Sequence, residues 1–497
     1  MRIQQFLEHH GIAMNPFAEE DAQTDPVFKN RCRENTFHPA WDKVFGDPSD
    51  PATSIVFGEK GAGKTALRLQ IMGRVADFNA QHRTGRLWVI EYDDFNPFLD
   101  RFADRLSARK QRDPAKVLAD WKLWDHMDSI LSLAVTNLVD KLLPSTHATG
   151  PSANRIDADP RTSLDRPQKR DLLLLAAFYD GSLAESHAAR WSQLRRRLRF
   201  HSWRAWADKA IGVVVTAVAV GLIVYLKKWD WLTTVWPYLA VALGWAPWLA
   251  RFSKAHFDAR RVAKNLRVLR RDTPSIRRAF MKLSGRDVWG QPIPNKQRTD
   301  DRYELLAKLQ GVLRSLGNDG IVVLVDRADE PHLINGSVEL MRDFVWSMLD
   351  NKFLKQPGIG FKLLLPSELM DHLHRETRDF HQRARLDKQN MVPSLDWSGE
   401  ALFDLANARV AACAKNGEVP KLRSLLDPSV TDQRLIDAFR SLRVPRHLFK
   451  FIYRLIVAHC NAHTDAQPVW TISRETFEAA FAVYSREQAA VDRGLSV

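Results

Sequence analysis

The stretch Gly58-Glu-Lys-Gly-Ala-Gly63-Lys64-Thr65 carries the residue types that grip phosphate. Glycines let backbone N–H groups close around phosphate oxygens, Lys64 supplies a positive charge toward the β and γ phosphates, and the Thr65 hydroxyl can coordinate Mg2+. Gly58, Glu59, Lys60, Gly61, Ala62, Gly63, Lys64, Thr65 and Ala66 are therefore the candidate nucleotide-binding segment. Metal-assisted phosphate chemistry also needs an acid. Five apolar residues, Ile321 to Val325, end in Asp326, which is placed to hold Mg2+ through water. A base must then reach an attacking water, and the next acids, Asp329 and Glu330, are the two candidates.

These residues need elements to present them. Ser54 to Phe57 reads as a short buried strand, and Ala66 onward has helical apolar spacing, so the glycines fall at a strand-to-helix turn. Arg86 to Tyr92 reads as a second strand, and Ile321 to Val325 as one buried on both faces of a parallel sheet. Phe361 to Ser367 is a neighbouring strand whose polar end offers Ser367 to the γ-phosphate or to the water, or else as a plain cap. Late in the chain, Pro445 and Arg446 open a helix; such an arginine on a helical lid can report which nucleotide is bound, or form a surface ion pair. The expected fold is α/β: a P-loop NTPase with a mainly parallel sheet flanked by helices, an inserted helical region and a C-terminal helical lid. Its parts run 1–50 as a lead-in, 51–107 and 300–395 as two halves of the nucleotide core, 108–299 as the insertion, and 396–497 as the lid. Residues 145–167, rich in Ser, Thr, Pro, Gly and Asp, read as a loop or linker.

Inside the insertion, residues 210–226 and 231–250 are 17 and 20 residues long and lack any charged side chain. Helices of that length span about 25 to 30 Å, enough for the hydrocarbon core of a bilayer. The linker, Lys227 to Asp230, forces them antiparallel, so the expectation is a two-pass transmembrane hairpin with both ends on one side. Ten basic residues at its base, among them Arg195, Arg196, Arg197, Arg251, Arg260 and Arg261, place that side in the cytoplasm. Trp203, Trp206, Trp245 and Trp248 at the base and Trp229 and Trp231 at the tip fit two interfacial belts. The basic flanks would also hold anionic lipid. With two helices and no charge within them, an anchor or a self-assembling sensor fits better than a channel.

Composition narrows the alternatives. At 497 residues the chain is long enough for two or three domains. Cys32, Cys413 and Cys460 are widely spaced, which suits a reducing compartment and argues against a zinc site or a disulfide framework. The N-terminus lacks a secretory apolar core, so the first domain is expected in the cytoplasm. The net charge is +14, yet residues 186–286 alone hold 21 Lys/Arg against 4 Asp/Glu, so the excess belongs to the flanks of the apolar runs. That distribution weakens, without removing, the competing expectation of a soluble DNA-associated ATPase whose Arg-rich helices bind nucleic acid.

The order of parts, Gly58 to Thr65, then an inserted hydrophobic hairpin, then an apolar strand closed by acids, resembles the KAP family of P-loop NTPases. Leu386-Asp-Lys, Leu395-Asp-Trp-Ser and the helix Leu402 to Arg409 are also similar to KAP-like ATPases. The Asp326, Asp329, Glu330 pattern looks like the NACHT side of the wider STAND class, and Arg327 stands where most hydrolytic relatives place Glu. The resemblance implies an ATP- and Mg2+-dependent switch that hydrolyses ATP; Arg327 in the place of the usual Glu leaves open slow hydrolysis, or a binding-only switch that holds ATP. It also implies assembly with itself or a protein partner at the inner membrane of bacteria, often within antiviral systems.

Overall fold

The computed structural model describes residues 1–33, 36–143, 150–182, 185–415 and 419–492; residues 145–149 of the expected linker lie outside the described residues. Five strands form one sheet: β1 (Ser54–Gly58), β2 (Arg86–Tyr92), β3 (Asn318–Val325), β4 (Ile359–Pro366) and β5 (Asn390–Val392). Every pairing is parallel, in the order β2-β3-β4-β1-β5. The glycine-rich strand β1 and the acidic strand β3 are thus not neighbours, because β4 lies between them. Register brings their ends to a common edge: Gly58 is opposite Pro366, and Val325 is opposite Leu363 and Tyr92.

Alternation along the strands builds three layers. Ile55, Phe57, Val323, Val325, Leu363 and Leu365 face a large core with Leu131, Leu172, Leu305 and Phe344. Val56, Val322, Leu324 and Leu364 face the other way, against Leu67, Ile71 and Val75 of the helix Lys64–Gln81. Both faces are covered, which is why these strands read as continuous apolar runs rather than as alternating ones.

The helices Leu123–Leu142 and Arg166–Tyr179 belong to the large core, so the start of the insertion is part of the sheet's outer layer. Buried charge ties them together: Arg302 pairs with Asp128 at 3.0 Å, both fully buried, and the Tyr179 hydroxyl donates to Asp128 at 2.8 Å. Arg190 bridges Asp140 and Asp180, fastening the helix His187–Arg197 to the same body. Residues 150–159 form a loop, the first of the two readings, and it is fastened to the sheet: Asn154 is buried and exchanges hydrogen bonds with the backbone of Val89 in β2.

Of the two spans of the expected transmembrane hairpin, one has the length and composition that crossing a membrane requires. Among the described residues one helix, Arg204–Tyr225, is long and apolar enough to cross a membrane, and it is mostly exposed. The expected spans 210–226 and 231–250 shift accordingly: residues 229–233 form a 3-10 turn, and the second run becomes the first half of a longer helix, Trp236–Asn265. That helix fails on composition, because Pro237, Tyr238, Pro247 and three tryptophans dilute its apolar half and the other half carries Arg251, Lys254, Arg260 and Arg261. The two helices pack tightly at one level. A side chain at Gly212 would meet Trp245 at 2.7 Å, one at Gly244 would meet Val215 at 2.7 Å, and the Trp245 indole N–H donates to Thr216.

Residues 1–33 and the C-terminal helices share a separate core, with Phe6, Leu7, Phe17 and Phe28 packed against Leu402, Phe439, Leu448 and Ile452. A buried ion pair between Asp25 and Arg409, at 2.6 Å, joins the two ends of the chain.

Candidate functional site

The site is built where β1 turns into the helix Lys64–Gln81. Gly61 and Gly63 have φ of 92° and 100°, conformations open to glycine at no steric cost. Gly61 also permits a close approach: a Cβ there would come 2.7 Å from Cβ of Arg446. The Lys64 ammonium lies folded over the loop, donating to the carbonyls of Gly58 at 2.6 Å and Glu59 at 3.1 Å. Burial pushes its pKa down, against the pull of Asp326, Asp329 and Glu368.

Thr65 and Asp326 meet although 261 residues separate them. The Thr65 hydroxyl donates to Asp326 Oδ2 at 3.2 Å, and the Arg327 N–H donates to Oδ1 at 3.0 Å. Asp326 is 2 % exposed; burial raises its pKa, and Arg68 is the foremost influence in the other direction. Among the described residues no group of three or more His, Cys, Asp or Glu could hold a metal. Two hard oxygens side by side, from Thr65 and Asp326, nevertheless suit Mg2+, a cation that completes its shell with water and phosphate oxygens.

A cavity of about 280 Å3 opens over these residues, lined by Lys60, Gly61, Gly63, Lys64, Thr65 and Asp326 on one side and Asp329, Glu330 and Glu368 on the other. Both base candidates therefore reach it. Glu330 is 58 % exposed and lies 3.6 Å from Arg327, whose positive φ of 61° swings the chain around after Asp326. Partial burial raises the Glu330 pKa, Arg327 opposes this, and Asp329 and Asp326 add to it. At the end of β4 the Ser367 N–H donates to Gly58 O and its hydroxyl to Glu368 at 3.3 Å, and its side chain makes no cap hydrogen bond to the helix Glu368–His374.

Arg446 opens the helix Pro445–Ala462 directly on the glycine loop, its N–H toward Gly61 O at 3.4 Å and its side chain 3.8 Å from Glu20. A smaller cavity of about 80 Å3 continues behind Gly61 and Gly63. Ala62 and Ala66 contribute to it, with Phe28, His38, Trp397 and Phe449 as its ring-bearing walls, and the Trp397 indole donates to Ala62 O at 2.9 Å.

Several residues of the site escape a motif reading. Glu368 follows Ser367 at the end of β4 and was legible only as a strand terminus. Glu20 and Asp21 come from the N-terminal segment, with no local signal. The buried Arg68 pairs with the partly exposed Asp93 beside Asp326; the spacing of Arg68, three residues after Thr65 and four after Lys64, is the one available clue.

No protein-family model matches this chain, and no curated protein or solved structure matches it either. What defines it is its own geometry. A five-strand parallel α/β sheet flanked by helices is compatible with a P-loop fold.

Proposed function

We propose that this chain is a membrane-anchored P-loop ATPase that acts as an ATP-dependent switch, of the KAP-like, STAND-class kind its motif order resembles. The observation that carries this reading is the meeting of Thr65 with Asp326 at 3.2 Å in one cleft beside Lys64. Backbone N–H groups from Gly61 to Thr65 and the Lys64 ammonium hold the phosphates of ATP. Thr65 and Asp326 would hold Mg2+, which when bound would supply neutralisation of phosphate charge. Glu330 or Asp329 takes the proton of the attacking water, Arg446 carries the presence of the γ-phosphate to the helical lid, and the ring-lined cavity receives the base. With Glu330 exposed and engaged by Arg327, turnover is slow.

The apolar helix Arg204–Tyr225 supports membrane attachment, and we extend this to its neighbour Trp236–Asn265, so that the pair enters the inner membrane as a two-pass anchor. Its basic flanks meet anionic lipid on the cytoplasmic side, and assembly with further copies or a protein partner completes the switch. Antiviral defence or signalling is the proposed setting, resting on resemblance alone.

The test uses the full chain. Wild type is expected to pellet with membranes after a high-salt wash and, in detergent, to hydrolyse Mg·ATP. Lys64→Ala is expected to pellet equally and to lose turnover. A chain that stays in the supernatant without detergent overturns the anchor; if it also shows DNA-stimulated turnover, the soluble nucleic-acid reading replaces it. Turnover unchanged by Lys64→Ala overturns the site.

A further inference from the structure

Arg68 lies in the second turn of the helix that starts at Lys64, on the face shared with Lys64 and Thr65 by its spacing. It is 2 % exposed, among the largest fully buried side chains of the protein. One end of its guanidinium bonds Asp93, in the loop directly after β2. Its Nε lies 3.6 Å from Asp326 Oδ2, too far for a hydrogen bond, and has no other acceptor. The same Oδ2 takes the Thr65 hydroxyl. Asp93 and Asp326 follow the paired strand ends Tyr92 and Val325, so one buried cation stands between two carboxylates of adjacent strands. Asp93 is 23 % exposed and Asp326 is 2 % exposed, so only the outer acid has water to share its charge.

We infer that Arg68 is a positioning residue for the divalent cation: shared between Asp93 and Asp326, it orients Oδ2 of Asp326, the oxygen that also takes the Thr65 hydroxyl, toward the metal without itself hydrogen-bonding that oxygen. This rests on the nucleotide reading above. The planar guanidinium has a fixed fork of donors. With Asp93 holding one end, the other stays just beyond bonding distance of Asp326, near enough to orient the carboxylate and too far to occupy it. Asp93 is thus the outer half of the device, and the Arg68–Asp326 gap is its working part.

The experiment measures fluorescent-ADP affinity of the full chain in detergent, once with excess EDTA and once across a Mg2+ titration. For Asp93→Asn, a change at a partly exposed position, the guanidinium is released onto Asp326 and competes with the metal. The Mg2+ half-saturation point is expected to rise about tenfold, one pKa-like unit of interaction, with affinity in EDTA unchanged. Arg68→Met is expected to raise the half-saturation point likewise, and Arg68→Lys to restore it in part. A Mg2+ midpoint within twofold of wild type in Asp93→Asn overturns the inference, as does an equal loss of affinity with and without Mg2+. Wild type that binds no nucleotide in either condition overturns the underlying nucleotide reading instead, so the two failures are distinct.

Discussion

The acids that crowd the cleft differ in how free they are to move a proton. Glu330 is exposed and held beside Arg327, whereas Asp326 is buried and already engaged by Thr65 and the Arg327 N–H. On the proposed function, the exposed Glu330 is the candidate base and the buried Asp326 the candidate metal ligand. Single-turnover hydrolysis in Glu330→Gln is therefore expected to fall about 100-fold, the range of a lost general base, with nucleotide affinity retained; a rate within threefold of wild type, alongside a collapse in Asp329→Asn, moves the role to Asp329. Away from the site, His126 is fully buried between the Tyr92 hydroxyl and Phe344 O, and burial pushes its pKa down to about 3. The unfolded chain binds its proton at about 6.5, so the folded state loses stability as pH falls below that value and keeps it above. Relative to His126→Gln, wild type should lose roughly 1 kcal/mol per pH unit between about pH 6 and 4, read from urea midpoints of the two proteins.

At the scale of elements, the pair Arg204–Tyr225 and Trp236–Asn265 packs closely at glycines along its apolar length and is tied at its base by the ion pair of Arg251 with Asp208, at 3.1 Å. Gly212 and Gly244 admit Trp245 and Val215, while nothing lies within 4 Å of a side chain at Gly221. Toward the tip the helices part around a cavity of about 600 Å3 lined by Val214, Val218, Leu222, Trp231, Trp236 and Ala240. Gly244→Leu is expected to destabilise the detergent-solubilised protein by about 1 to 3 kcal/mol through overpacking, and Gly221→Leu to leave its melting temperature unchanged. Equal effects at both positions would mean that the close helix contact does not exist in the folded chain. Here the sequence reading was right about the apolar content and wrong about its division. A count of uncharged residues cannot weigh Trp, Tyr and Pro against Leu and Val.

Across the whole molecule, the two chain ends close over the site. Glu20 and Asp21 line the larger cavity, Asp25 and Phe28 the smaller, and all come from residues packed with the C-terminal helices. The clasp is the buried pair Asp25–Arg409, in which Arg409 also donates to Pro16 O and lies 4.3 Å over the Phe449 ring. Asp25→Ala leaves Arg409 buried without its counter-charge, a change that costs about 3 to 5 kcal/mol. Its expected signature is protease cleavage within residues 396–492 and loss of nucleotide affinity, with the sheet still protected. Unchanged proteolysis would show that the N-terminal segment does not brace the lid.

Local chemistry was legible in the chain itself. Gly58 to Thr65 and Ile321 to Asp326 declare their strand ends and polar termini through short-range rules, since glycine freedom, apolar runs and helix starts depend on neighbouring residues. The juxtaposition of Thr65 with Asp326, the insertion of β4 between their strands, and the recruitment of Glu20, Arg68, Asp93 and Glu368 were decided by the fold. These contacts join residues from 25 to several hundred positions apart, and packing alone sets which of many possible partners such residues meet.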